Sequence, residues 1–290
     1  MADMPPFEQL IRMEVVYRVP GMADVVPRRE VPYAAPGGET LTMDIYPPPG
    51  VPAGSRRPAV LMIHGGPIPR VGAKNMGVFT SYGRLLAASG FVAVTFNHRF
   101  LGAERLLDAA SDVRSAAAYA VENAKDLGID PERIAVWAFS GGGPLLSLAF
   151  TGALPPVRAL VAFYAALDLR EKPPGGSLAL TDENRRDFSP AHHVMALAGK
   201  VPPLLVARAG LDMPFLNAGI DRFVQAALAA NACVDVLNHP TGRHGFDILD
   251  DDARSREIIA RTLEFLRVRL AGDAPAPPAP PSSARSGPAS

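Results

Sequence analysis

Hydrophobic positions along this chain fall into two alternating textures. Short apolar runs, rich in β-branched residues, are separated by longer stretches with helical spacing. The runs cover Leu41–Tyr46, Ala59–His64, Phe91–Phe96, Arg133–Ala138, Val157–Tyr164, Leu204–Ala209 and Cys233–Leu237. The first alternates, with Leu41, Met43 and Ile45 set against Thr42 and Asp44, which predicts a half-exposed antiparallel strand. The later runs are nearly continuous, as expected of parallel strands covered on both faces. Between them, helices are predicted over Gly77–Ser89, Ala103–Leu127, Pro214–Ala230 and Asp251–Leu270. The second carries Leu106, Leu107, Ala110, Val113, Ala117, Ala120 and Val121 at helical spacing and stops at Gly128. Strand and helix in repeated alternation imply right-handed crossovers. The expected fold class is therefore α/β, a mostly parallel central sheet with helices on both faces.

Two stretches break the rhythm. Arg170–Lys200 holds Pro173, Pro174, Gly175 and Gly176, a charged run from Asp182 to Asp187, and the adjacent His192 and His193. It is expected to be a short lid-like insertion over the strand ends, governing pocket depth. The last 18 residues, Asp273–Ser290, are almost all Pro, Ala and Ser. Such a composition cannot bury a core and predicts an extended tail. The expected division is an N-terminal extension over 1–38, one domain over 39–272 with its insertion at 170–200, and the tail at 273–290.

Composition narrows the function classes. Lys plus Arg number 29 and Asp plus Glu 29, so the formal charge is zero. Nucleic-acid binding needs a basic excess or a basic face, and is not expected. Apolar residues make up 48% of the 290 positions, ample for a large core. The single cysteine, Cys233, excludes an intrachain disulfide and a cysteine-based zinc site, and is expected to be a small buried hydrophobe. No apolar stretch is long enough for a membrane span. The N-terminus lacks the basic-then-apolar pattern of a secretory signal, so a soluble cytoplasmic protein is the expectation.

The sharpest chemical signal is Arg133-Ile-Ala-Val-Trp-Ala-Phe-Ser140-Gly-Gly-Gly-Pro. An apolar strand runs into a small-x-Ser-x-Gly turn and then a predicted helix at Leu145–Phe150. This is the context of a serine held on a sharp turn at the carboxyl edge of a sheet, with Ala138 in place of the usual first glycine. The competing reading is a phosphate-binding turn. Against it, the Walker lysine and the G-x-G-x-x-G spacing are both absent. A second glycine turn, His64-Gly-Gly-Pro67, follows another buried strand. Backbone N–H groups of Gly66 and Gly141 are the candidate oxyanion donors; Pro67 has no N–H to offer. His64 itself is read as a structural residue fixing the loop.

A nucleophilic serine needs a base and an orienting acid. Asp212 and His244 both follow predicted strand ends, on the edge where Ser140 sits and where ligands gather in open α/β sheets. His239 lies too early, at a strand end, and His192 and His193 belong to the insertion. Asp168 is an alternative acid or pocket wall. Asp247, Asp250, Asp251 and Asp252 read as a cluster at a helix N-terminus. Ile68, Phe79, Phe139, Phe215 and Phe246 are candidate pocket walls.

The pieces MDIYPP (43–48), HGGP (64–67), FSGG (139–142), RAGLD (208–212), DRF (221–223) and GRHGF (242–246) occur in order across most of residues 40–270. On these residues the chain resembles the α/β-hydrolase superfamily, within the HGG-containing bacterial carboxylesterases and dienelactone-hydrolase-like or feruloyl-esterase-like proteins. The order Ser140, Asp212, His244 is the order of that superfamily. The resemblance implies a serine carboxylesterase working through an acyl-enzyme. Ser140 would be the nucleophile, His244 the base, Asp212 the acid, and Gly66 and Gly141 the oxyanion donors. No cofactor or metal is implied, and the partner is a small-molecule ester. A homo-oligomer is left open. Dienelactone hydrolases use cysteine where this chain has Ser140, so that activity is not carried over. Pro67 departs from the HGGG of hormone-sensitive-lipase-like esterases. HGGP also occurs in prolyl-oligopeptidase-like proteins, but those carry a large N-terminal propeller, and only about 40 residues precede the core here. A peptidase or amidase, an acyltransferase, and a non-catalytic binding protein are the alternatives.

Overall fold

The structure, a computed structural model, describes residues 5–52, 54–68, 72–170, 180–197 and 200–271. The predicted tail at 273–290 lies outside the described residues, as do 171–179 of the insertion. Eight strands form one sheet: β1 (Arg28–Ala34), β2 (Leu41–Tyr46), β3 (Arg57–Ile63), β4 (Val92–Phe96), β5 (Ile129–Phe139), β6 (Ala159–Phe163), β7 (Leu204–Ala209) and β8 (Val234–His239). Their spatial order is β1-β2-β4-β3-β5-β6-β7-β8. From β4 to β8 every pairing is parallel, whereas β2 runs antiparallel to both of its neighbours.

Four long helices cover the sheet: α1 (Gly77–Ala88), α2 (Leu106–Glu122), α3 (Pro214–Ala229) and α4 (Ala253–Leu270). Alternate residues of each strand feed one of two cores. On β5, Ala135, Trp137 and Phe139 join the core under α1 and α4. Ile134, Val136 and Ala138 join the core under α2 and α3. Full coverage of both faces is why β3 to β7 are continuous apolar runs. β8 is different, because it closes the sheet. It is only partly buried, and Cys233 just ahead of it is exposed, accepting a hydrogen bond from Arg269 at 2.9 Å. The buried-hydrophobe expectation for Cys233 does not hold, since an edge position lacks the second layer of cover.

β2 departs from its expected half-exposure. The alternation is real and Thr42 stays partly exposed, but Asp44 is covered by ion pairs rather than water. Lys74 Nζ donates to Asp44 Oδ1 at 2.8 Å, Arg29 Nη1 donates to Oδ2 at 3.0 Å, and the Asp44 carboxylate is fully buried. β1, Arg-Arg-Glu-Val-Pro-Tyr-Ala, has no hydrophobic run and so left no mark in the pattern. Only Val31 and Tyr33 reach the core, and Pro32 is tolerated because the strand is an edge. The sheet therefore begins inside the stretch expected to be an extension. The long helix expected over Ala103–Leu127 is broken at Asn123, whose side-chain amide donates to the carbonyl of Tyr119.

Residues 180–197 of the insertion form two short α-helical segments, Asp182–Asp187 and Pro190–His193, and a 3₁₀ turn, Val194–Leu197. Thr181 caps the first by accepting from the N–H of Asn184. Phe188, Ala191 and Val194 are buried in the core shared with α2 and α3. Ser189 Oγ accepts from the N–H of Leu169 at 2.7 Å, and Ala191 N–H donates to the carbonyl of Leu167. These bonds fasten the segment to the loop that follows β6.

Candidate active site

β5 delivers Ser140 to the carboxyl edge of the sheet. Its φ of +49° lies in the left-handed region that a residue with a Cβ rarely adopts. Close packing enforces the turn. A Cβ on Gly141 would stand 1.9 Å from the carbonyl oxygen of Gly66, and one on Gly142 would stand 2.6 Å from that of His64. Only glycine allows the 64–66 loop to approach the serine turn so closely. Three consecutive glycines and Pro144 also explain why the segment opens as a 3₁₀ turn, Ser140–Leu146, so that the α-helix expected at Leu145–Phe150 begins at Ser147 and runs to Phe150.

Two further loops meet this turn. After β7, Asp212 is buried and accepts through Oδ1 from the N–H of Met213 at 2.7 Å. Its Oδ2 accepts from His244 Nδ1–H at 2.7 Å. His244 Nε2 in turn accepts from the hydroxyl of Ser140 at 2.8 Å. The three side chains, 104 and 32 positions apart in successive steps, thus form one continuous hydrogen-bonded line. The loops carrying the acid and the histidine are tied to each other, because Leu211 N–H donates to the carbonyl of Gly242. Arg243 braces the histidine loop from behind, with Nε on Asp250 Oδ1 at 2.7 Å and Nη2 on the carbonyl of Leu249. Such a line lets an imidazole take a hydroxyl proton while a carboxylate fixes its tautomer.

His64 plays a different part. Its ring is 3% exposed and stacked on His98 with centroids 3.5 Å apart. Nδ1–H donates to the carbonyl of Gly65 and Nε2 accepts from the N–H of His98. Burial pushes its pKa down to about 4, so the ring is neutral. It fastens the glycine loop to the end of β4.

Beside Ser140 lies an apolar cavity of about 250 Å³. Gly66, Ile68, Phe79 and Phe139 line it, together with Ser140 and His244. Phe215 and Phe246, also expected there, do not. Phe246 turns under the histidine loop into the core, its ring against Phe163, Tyr164 and His239. Phe215 sits half-buried at the start of α3, away from the cavity. In their place the cavity takes Tyr164, Met76, Val78, Ile248 and, from the N-terminal segment, Phe7 and Leu10. Phe7 and Leu10 carried no sequence signal, because a four-residue turn, Phe7–Leu10, has no periodicity to read.

Tyr164 and Asp247 were also missed in functional terms. The Tyr164 ring meets His244 edge-on, centroids 4.8 Å apart. Its hydroxyl donates to Asp247 Oδ1 at 2.8 Å, while Tyr82 donates to Oδ2 at 2.9 Å. Asp247 is thus a buried anchor, set apart from the cluster expected at a helix N-terminus, and burial raises its pKa to about 6. Asp252 does cap α4, accepting from the N–H of Ser255. Asp168 is engaged by Arg170 and Arg222, which hold its carboxyl well below the usual range despite burial, and has no contact with His244 among the described residues. His239 is buried and meets Asp252 and Ser255. Among the described residues no cluster of His, Cys, Asp and Glu could hold a metal ion, and no helix is long and apolar enough to cross a membrane.

Sheet order, crossovers and the serine turn together define an α/β-hydrolase fold, and the comparisons with known proteins agree. The BD-FAE family model matches residues 43–154. Esterase LipQ of Mycobacterium tuberculosis is 25% identical over 264 residues, covering 82% of this chain and 62% of LipQ. Esterase LipC of the same organism is 29% identical over 194 residues, covering 57% of this chain and 47% of LipC. The chain thus spans less than two thirds of either esterase. Among solved structures, esterase Est2 of Thermogutta terrifontis superimposes with a TM-score of 0.68 at 22% identity, covering 89% of this chain and 98% of Est2.

Proposed function

We propose that the protein hydrolyses carboxylic esters with short, uncharged acyl groups, through an acyl-enzyme on Ser140. The observation that carries this reading is the unbroken line Ser140–His244–Asp212 opening onto an apolar cavity. His244 takes the hydroxyl proton as Oγ attacks the ester carbonyl. The N–H groups of Gly66 and Gly141 stabilise the oxyanion, and Asp212 supports the imidazolium. Collapse breaks the bond to the alcohol, which leaves with the proton from His244. Water, deprotonated by His244, then attacks the acyl-serine and the acid departs. The names of LipQ and LipC support ester chemistry, and Est2 has been solved with propionate and with butyrate bound.

A fluorophosphonate probe tests the nucleophile: the protein is labelled and Ser140→Ala is not. Turnover of p-nitrophenyl acetate is expected. Turnover of the matching anilide alone would mean an amidase, and ligand binding without labelling or turnover would mean a binding protein.

A further inference from the structure

The N-terminal segment crosses the mouth of the cavity. It is pinned at three points beyond its first turn. Gly77 N–H donates to the carbonyl of Ile11 at 2.7 Å, Val15 N–H to Ser81 Oγ at 2.9 Å, and Val16 N–H to the carbonyl of Asp247 at 2.8 Å. Two of these anchors lie on α1, and the third lies three residues past His244. Ahead of them, the turn Phe7–Leu10 buries no residue, and Phe7 remains 51% exposed. The ring thus stands half in water at the lip of an apolar cavity.

Phe7 touches two spaces. On one side it lines the cavity of about 250 Å³ that contains Ser140 and His244. On the other it lines a neighbouring groove of about 320 Å³, with Ile11, Ile68, Ala73 and Met76. Phe7, Ile68 and Met76 belong to both. The first space falls below the 300–1,000 Å³ range of drug-sized ligand sites, so with Phe7 in place it suits a small apolar group. The described residues of the 180–197 insertion line neither space.

Resting on the ester-hydrolase reading, we propose that Phe7 is the partition that ends the acyl pocket, so the N-terminal segment sets the acyl length accepted. Removing the ring joins the two spaces and admits a longer chain. Each methylene buried is worth about fourfold in affinity, so four further methylenes leave room for a large change of preference.

The test compares the full chain with Phe7→Ala and Phe7→Trp on p-nitrophenyl acetate, butanoate and octanoate. It adds calorimetric binding of butanoate and octanoate in a Ser140→Ala background. Phe7→Ala is expected to raise the octanoate-to-butanoate ratio at least ~10-fold in kcat/KM and in affinity, and Phe7→Trp to lower both. Because Phe7–Leu10 buries no residue, the melting temperature should hold for both variants. An affinity ratio unchanged in both variants overturns the proposal. If no ester is turned over by the unmodified protein, the ester reading fails, while the binding ratio still decides the role of Phe7.

Discussion

Two histidines stand within reach of the same serine turn, and their surroundings give them opposite work. His64 is sealed: its ring is stacked on His98, and both nitrogens are spent on backbone groups, of Gly65 in the glycine loop and of His98 just past β4. His244 is 25% exposed in its side chain, and both nitrogens meet side chains, a carboxylate behind and a hydroxyl in front. A ring bonded only to backbone has no proton to exchange with a substrate. A ring between an acid and an open hydroxyl has. Residue type alone does not separate these roles; what each ring nitrogen faces does.

The widest separation is expected in turnover. Ser140→Ala and His244→Ala should each lower kcat by about 10⁵–10⁶-fold, and the double variant no further, because in the proposed mechanism the residues act as one unit. Circular dichroism should show both folded. Asp212→Asn should cost about 10⁴-fold, since it leaves the geometry but spoils the tautomer. Full additivity of Ser140→Ala and His244→Ala would break the proposed unit. His64→Ala should behave differently. Loosening the loop that holds one of the proposed oxyanion donors is worth about 10²–10³-fold in kcat. Its buried stack and two hydrogen bonds should also be lost from the melting temperature. A His64→Ala protein as inactive as His244→Ala, yet as stable as the unmodified chain, would erase the contrast.

How visible this contrast was in the sequence differs from region to region. Strands β3 to β7 were legible because both faces are covered, so their apolar runs are unbroken. β1 was not, because an edge strand with Val31 and Tyr33 as its only buried residues has no pattern to show. Ser140, Asp212 and His244 were legible as residues just past strand ends, where the topology of an open sheet brings distant loops together. The pocket was legible only in part. Ile68, Phe79 and Phe139 sit on or beside the elements that define it. Phe246, however, follows Gly245 at φ +80°, a reversal that sends the ring beneath the loop into the core. Asp247 could not be recognised as a buried anchor, because its two tyrosine partners come from α1 and the end of β6, 165 and 83 positions away.

That anchor gives the smallest and most specific prediction, in the acid limb of stability. His64 is held at about 4, below its ordinary 6.5. The unfolded chain therefore binds this proton first as pH falls, and stability is lost from about pH 6.5 down through 4. His98, pushed down by burial, acts in the same direction. Asp247 is raised from 3.8 to about 6 by burial, against the pull of both tyrosine hydroxyls. Here the folded chain binds the proton first, so stability is gained as pH falls from about 6 to 3.8. At ~1.4 kcal/mol per pKa unit, His64 and Asp247 are each worth about 3 kcal/mol and largely cancel between pH 6 and 4. Asp247→Asn keeps an acceptor for one tyrosine but cannot take up the proton. Its melting temperature should therefore fall about 5–10 °C further than that of the unmodified protein between pH 6 and pH 4. His64→Gln should reverse the sign and flatten the acid limb. Parallel melting curves for Asp247→Asn and the unmodified chain across that window would mean that Asp247 titrates like an exposed carboxylate, and that the histidine loop rests on packing alone.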